Sequence, residues 1–314
     1  NTKRSITKHM DSLEQYIKYH SMSSQIRDID PANDCLRYIA DRFELNIEQR
    51  YWLAFLYSCC YSPATTYYIY NEFPDFENVN VDRLQRWWDA NRDNLIFQTD
   101  RLRVKSSNQF VQAFESYKEA IRWISRSGGQ EDAFKQLLTG TSDENYTNVW
   151  KFSEQFYTFG RFTLFIYLEM LHVLTDIDIR PTQLDLGNAV SCRNGLALAF
   201  GLNDLNNHKS KKKISKQEID YLQTLFGDLM EIVDTLNIEH KSIWNVETTL
   251  CAYKKFRLGK RYVGYYIERA GKEISTLQSR INVGVDWLPL WQFREETYPH
   301  QYLSEKTGLK KLKR

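Results

Sequence analysis

Two short polar stretches set among apolar residues are the places where this chain could do chemistry: Ser191-Cys-Arg-Asn-Gly and Trp244-Asn-Val-Glu-Thr-Thr-Leu-Cys-Ala-Tyr-Lys-Lys. On a helix, Glu247 and Cys251 share a face, and Lys254 and Lys255 follow one turn later. A carboxylate among cations stays ionised at neutral pH and can serve as a general base. The plain alternative is a surface helix laced with salt bridges. In the other stretch Ser191 reads as a helix N-cap. That leaves Arg193 and Asn194 in the first turn, where free amides and the helix dipole favour anions. Ordinary capping explains the serine as well; it explains the Arg-Asn pair less well.

Two further stretches are candidates. Phe159-Gly-Arg-Phe-Thr places Gly160 and Arg161 inside an apolar, helix-like run. Glycine costs about 1 kcal/mol in a helix interior, so its presence suggests close approach by a neighbour or ligand. Arg161 could grip a phosphate bidentately or form a core ion pair with a carboxylate such as Glu169. Phe97-Gln-Thr-Asp-Arg-Leu-Arg-Val-Lys, if extended, lines Arg101, Arg103 and Lys105 along one side, after Trp87 and Trp88. That edge could track phosphates or simply be solvated. Arg257, Lys260 and Arg261 extend the basic run beyond Lys255, while the isolated His172 and His240 read as structural residues.

Composition narrows the classes. The 314 residues suffice for one large or two average domains, with 42% hydrophobic and 26% charged residues, as in ordinary globular proteins. With 42 basic against 40 acidic residues the net charge is only +2, so any nucleic-acid surface must be local. Basic residues cluster at 209–216, 254–261 and 310–314. Five cysteines, an odd number with no CxxC, make neither a disulfide framework nor a zinc site, so no bound metal is expected from them. No stretch approaches the roughly 18 apolar residues a membrane helix needs, so a reducing cytoplasm and no membrane partner are expected. Phosphate-cradling GxxxxGK[ST], GxGxxG, GxSxG and HExxH motifs are all missing, which disfavours the familiar ATPases, dehydrogenases and hydrolases.

The elements that must position these residues read as helices throughout. Ile219, Leu222, Phe226, Leu229, Val233 and Leu236 recur on one face over 215–237, and Ser215 with Glu218 makes a capping box. Further helices are predicted at 48–61, at 81–91 capped by Asn80, and at 110–124. The very apolar 150–174 is expected to be the central, most buried helix, broken near Gly160. Others are expected at 243–257 and 262–281. The expected fold is all-α, as one compact multi-helix domain or two helical subdomains. It would have an N-terminal helical extension at 1–34, a catalytic body at 35–285 and a wrapping tail at 286–314. Soft places at 125–143 and 203–213 could separate subdomains.

The order of several segments resembles the bacteriophage amino acid:DNA transferases, also called alpha-glutamyl/putrescinyl thymine pyrophosphorylases. They are Glu48-Gln-Arg-Tyr-Trp-Leu-Ala, Asn71-Glu-Phe-Pro-Asp-Phe-Glu, Phe97-Gln-Thr-Asp-Arg, Phe159-Gly-Arg-Phe-Thr, Ser191-Cys-Arg-Asn-Gly-Leu and Glu247-Thr-Thr-Leu-Cys. The resemblance implies an all-helical enzyme of an infected bacterium's cytoplasm, with a suspected distant relation to helical DNA glycosylases. It would act on DNA in which a separate base kinase has pyrophosphorylated 5-hydroxymethyluracil, replacing pyrophosphate with a free amino acid such as glycine, or with an amine. Matched to that chemistry, Arg161, Arg193, Asn194, Lys254 and Lys255 would meet the pyrophosphate, with Mg2+ as the candidate metal. Glu247 or Asp204 would be the base, and Cys192 or Cys251 would add transiently to the pyrimidine. Arg101, Arg103, Lys105, Arg257, Lys260 and Arg261 would contact DNA. The competing reading is a non-catalytic phage factor that binds DNA or a host protein. A glycosylase would need a helix-hairpin-helix with a Gly-rich turn and a catalytic Asp or Lys, and none is convincing here.

Overall fold

A computed structural model of the chain describes residues 2–99, 102–105, 108–202, 214–281 and 284–299, without the side chains of 2–10 and of Arg103. In chain order α1 is Thr2–Gln25, α2 Pro31–Arg42, α3 Ile47–Cys60, α4 Pro63–Glu72, α5 Val81–Asn91, α6 Gln109–Ile124 and α7 Gln130–Lys135. There follow α8 Ser142–Ser153, α9 Arg161–Thr175, α10 Val190–Ala199, α11 Lys216–Thr235, α12 Ile243–Arg257, α13 Tyr265–Arg280 and α14 Leu288–Thr297. Two short 3-10 turns complete the regular structure, and no strand occurs among the described residues. The all-α expectation is met.

The helices group into two compact units that are discontinuous in sequence. The first draws its described residues from Asn1–Pro31, Thr182–Glu268 and Tyr298–Arg314; the second draws on Ala32–Pro181 and Arg269–Thr297. Within the stretch expected to be a tail, α14 buries Pro289, Leu290, Phe293 and Arg294.

The second unit is organised by α3, in which all ten residues from 51 to 60 are buried. A helix apolar all round belongs in a core, and α3 packs chiefly against α9. Asn46 and Gln49 form its capping box, and Tyr61 ends it in the left-handed region at φ 51° just before Pro63. The run over 150–174 is broken near Gly160, as expected, and forms two helices, the end of α8 and all but the last residue of α9. Thr158 at φ 70° and Gly160 in an extended N-cap conformation break the run, while Phe156 and Phe159 between them stay buried. Gly160 therefore stands outside a helix interior. A Cβ there would meet nothing within 4 Å, so the close approach expected of it is not present. The segment 125–143 contains α7, whose first amides are held by Glu48. Its Oε2 accepts from Gln130 N at 2.8 Å and its Oε1 from Glu131 N at 2.8 Å.

In the first unit α10 packs against α12, α11 covers α10, and α1 lies on both α10 and α12. The stripe read from the sequence is the buried face of α11: Leu222, Phe226, Leu229 and Val233. Its capping box is formed as expected, with Glu218 N donating to Ser215 Oγ at 3.2 Å. Helix α1 is fixed by a buried relay. The Tyr16 hydroxyl lies 2.8 Å from Thr249 Oγ1, which lies 2.9 Å from His20 Nδ1, and His20 Nε2 donates to the His240 carbonyl at 3.0 Å. The buried Asp28 carboxylate accepts backbone N–H groups from Gly264 at 2.6 Å, Tyr266 at 2.9 Å and Ile267 at 3.0 Å, anchoring the start of α13.

His20 and Asp28 give this unit opposed pH dependences. Burial lowers the His20 pKa from 6.5 to about 4, so between these values the unfolded chain takes a proton that the folded chain refuses, and stability is lost as pH falls. Burial raises Asp28 from 3.8 to about 7 despite its three N–H donors, so the folded chain keeps a proton the unfolded chain has released, and stability is gained over the same fall. The wild-type stability profile is expected to be shallow between pH 4.5 and 7. Denaturant titrations of Asp28→Asn should uncover the histidine and lose about 2 kcal/mol between pH 7 and pH 4.5. An unchanged profile would show that His20 is not held neutral.

Candidate active site on α10 and α12

Helices α10 and α12 touch backbone to backbone. A Cβ on Gly195 would stand 2.1 Å from the Leu250 carbonyl oxygen, inside any real contact distance. Only glycine allows that crossing. Cys192 lies one turn before Gly195 and Cys251 immediately follows Leu250, so the crossing places the two thiols together. Cys192 is fully buried, whereas Cys251 is half-buried.

Cys251 Sγ also meets the carboxylate expected on its helix face, donating to Glu247 Oε1 at 3.3 Å. The thiol is drawn below its usual value, first by the hydrogen bond from Cys192, with burial opposing, and then by Ser191 and the positive Lys255. A half-buried thiolate beside a carboxylate and an ammonium is a nucleophile with a proton acceptor at hand. Lys254 is half-buried, and its pKa is lowered by burial first and by Lys260 as well.

The remaining sequence candidates are placed as follows. Ser191 is not the N-cap. Ala189 caps α10, so the Arg193 amide already bonds the Ala189 carbonyl at 2.9 Å, and neither it nor Asn194 lies among the free first-turn amides. The reason is local: a turn closed by Ala189 N on the Asp185 carbonyl starts the helix before the serine. Arg193 is buried, and its Nη1 donates to the carbonyls of Leu186 at 3.0 Å and Gly187 at 2.8 Å, pinning the turn ahead of α10. Asn194 is buried, and no described group accepts from its Nδ2. Arg161 is the first residue of α9 in the second unit and half-buried.

Arg257 is exposed and donates to the hydroxyl of Tyr253 and to Gln15, each at 2.9 Å, and Lys260 is exposed. Arg261 is buried, its guanidinium 4.8 Å and 4.7 Å from the ring centroids of Tyr265 and Tyr266 and bonded to the Tyr266 hydroxyl, so it organises the start of α13 rather than an open basic face. Residues 103–105 form a 3-10 turn with Leu102 and Val104 buried, which replaces the extended alternation expected there. Lys105 lies 5.5 Å from the Phe97 ring centroid. Asp204, Arg101, the Arg103 side chain, residues 209–213 and residues 310–314 lie outside the described residues.

Sequence reasoning missed the residues that hold α12 in place, Tyr16, His20 and Thr249. Tyr16 and His20 are four apart on α1, a spacing that signals a shared face, but nothing in the sequence names their partner. Among the described residues no three His, Cys, Asp or Glu side chains are grouped to hold a metal ion, and no helix is long and apolar enough to cross a membrane.

An all-helical fold carrying a thiol-carboxylate-ammonium cluster defines a chain equipped for nucleophilic chemistry without any of the familiar catalytic motifs. The chain belongs to the amino acid:DNA transferase family, whose model matches residues 24–262. It is also similar to a serinyltransferase of Salmonella phage ViI, 30% identical over 278 residues, which are 83% of this chain and 66% of that protein. The chain thus spans just under two thirds of that relative's length. No solved structure matches. The family match contains α10, α12 and both cysteines.

Two measurements probe the cluster. Alkylation of Cys251 by iodoacetamide, followed by peptide mass spectrometry across pH, should show a midpoint below that of an ordinary thiol, and it should move upward in Lys255→Gln. A midpoint above pH 8 would contradict the arrangement. Gly195→Ala should force α10 and α12 apart, lowering stability by about 1–3 kcal/mol, as for other overpacked cores. It should return the Cys251 midpoint towards that of an ordinary thiol.

Proposed function

We propose that this chain transfers an amino acid onto a modified thymine in DNA, displacing pyrophosphate from 5-pyrophosphoryloxymethyluracil. The observation that carries the reading is the half-buried Cys251 thiol, backed by Cys192 and set 3.3 Å from Glu247. The Cys251 thiolate adds to C6 of the pyrimidine, and the electron pair moves through C5 onto the C4 oxygen. The enolate then collapses and breaks the bond from the 5-methylene to the pyrophosphate oxygen, leaving an exocyclic methylene. The amino acid's amine adds to that methylene and forms the new C–N bond. Glu247 takes the ammonium proton, and the second enolate collapse expels the thiolate from C6 and restores the ring. The sum consumes the pyrophosphorylated base and an amine and yields the aminomethyl base, pyrophosphate and a proton.

Lys255 and Lys254 would meet the charge that develops on the departing pyrophosphate. Asp204, the other candidate base, lies outside the described residues. Mg2+ prefers a shell of oxygen ligands, and a cluster of two thiols, one carboxylate, one hydroxyl and ammonium groups does not fit it. A base kinase must supply the pyrophosphorylated DNA. The relative's name makes serine the first amino acid to try, with glycine beside it.

Purified protein incubated with DNA containing 5-pyrophosphoryloxymethyluracil and a panel of amino acids, followed by nucleoside mass spectrometry, should show one amino acid added and pyrophosphate released. Cys251→Ala should abolish transfer, and Glu247→Gln should slow it by about 10²–10⁴-fold, the usual contribution of a general base. Tight DNA binding without transfer of any amine would favour a non-catalytic DNA-binding factor.

A further inference from the structure

Trp123 is 86% exposed, far more than any other large apolar side chain described. It stands at the end of α6 in the second unit, away from the face that buries Tyr117 and Ile121. Its neighbours are polar. Arg122 and Arg126 are both exposed, and Glu119 lies one turn back. Arg122 is paired only loosely, with its Nη2 3.9 Å from Glu77 Oε2 and its side chain 59% exposed. The Arg126 guanidinium has no ion partner among the described residues.

The turn that follows is stiff. Asp132 Oδ2 accepts from Arg126 N at 2.5 Å, from Ser127 N at 2.9 Å and from the Ser125 hydroxyl at 2.9 Å, and Gly128 N donates to Ser125 Oγ at 2.9 Å. Beyond it, Glu48 holds Gln130 and Glu131. Trp123 thus stands on the last turn of α6, just ahead of a turn tied together by Asp132, with one exposed arginine before it in the sequence and another three residues after it.

An isolated ring among charges differs from a protein-docking hot spot, which is ringed by groups that keep water out. It offers what an unpaired nucleotide needs: a flat face for the base, with cations close by in the sequence for its phosphates. We propose that Trp123 is a stacking platform for an exposed base of single-stranded DNA, with Arg122 and Arg126 holding the flanking phosphates. The proposal rests on the reading that DNA is this chain's substrate, and it adds a contact surface in the second unit that the thiol cluster does not supply.

Fluorescence anisotropy with a labelled single-stranded oligonucleotide and its blunt duplex, using the full chain, tests it. Trp123→Ala should weaken single-strand binding about 10-fold, as for loss of one stacked base, with Trp123→Phe close to wild type. Arg122→Gln combined with Arg126→Gln should flatten the salt dependence, lowering its logarithmic slope by about 1.4 for two phosphates. Binding by Trp123→Ala equal to wild type would overturn the proposal and leave amino acid transfer untouched. Trp123-dependent binding without transfer would support it while removing the reaction proposed above. Loss of self-association in Trp123→Ala, with DNA affinity unchanged, would assign the ring to a protein contact and overturn the proposal.

Discussion

The site depends on one interatomic contact: the Gly195 Cα facing the Leu250 carbonyl. Helices with ordinary side chains at the crossing keep their axes about 8–10 Å apart. Removing the Cβ lets the backbones meet, and only at that spacing do short side chains such as cysteine reach across from one helix to the other. Cys192 and Cys251 pair because of it, and Glu247, one turn from Cys251, joins them. The chemistry proposed for the chain rests on a packing decision made by a residue with no chemistry of its own.

The surrounding polar groups serve that contact. Arg193 ties off the carbonyls of Leu186 and Gly187 and sets the direction in which α10 begins. Thr249, between Glu247 and Cys251 on α12, is held through Tyr16 and His20 to α1. Buried polar groups of this kind specify one arrangement because each is costly to leave unsatisfied. They therefore hold the α12 face in one rotation, a constancy that the proposed nucleophile and its proton acceptor require.

Much of this was legible in the sequence, and the reasons differ by element. The capping boxes and the spaced apolar residues of α11 announce a helix because both signals are local. Glu247 and Cys251 could be paired for the same reason, being four residues apart on one helix. The Cys192–Cys251 meeting could not be read, because it is set by a tertiary crossing whose sole mark is a glycine inside α10. Gly160, which looked like such a crossing, is an N-cap, and Ser191, which looked like a cap, lies inside its helix. Arginines misled most. Arg193 and Arg261 read as anion-binding groups, but the structure turns them inward, onto carbonyls and tyrosine rings. The run around Arg103 read as an extended edge, yet Leu102 and Val104 are buried beside a 3-10 turn.

In the proposed reaction the α10–α12 crossing makes Cys251 the nucleophile. This role is tested most directly by mixing the protein with pyrophosphorylated DNA in the absence of any amino acid, quenching rapidly in acid, digesting both polymers and sequencing the peptides by mass spectrometry. Pyrophosphate release should be accompanied by a pyrimidine adduct on the peptide that contains Cys251. Pyrophosphate release with Cys251 unmodified, or with the adduct on another residue, would contradict it.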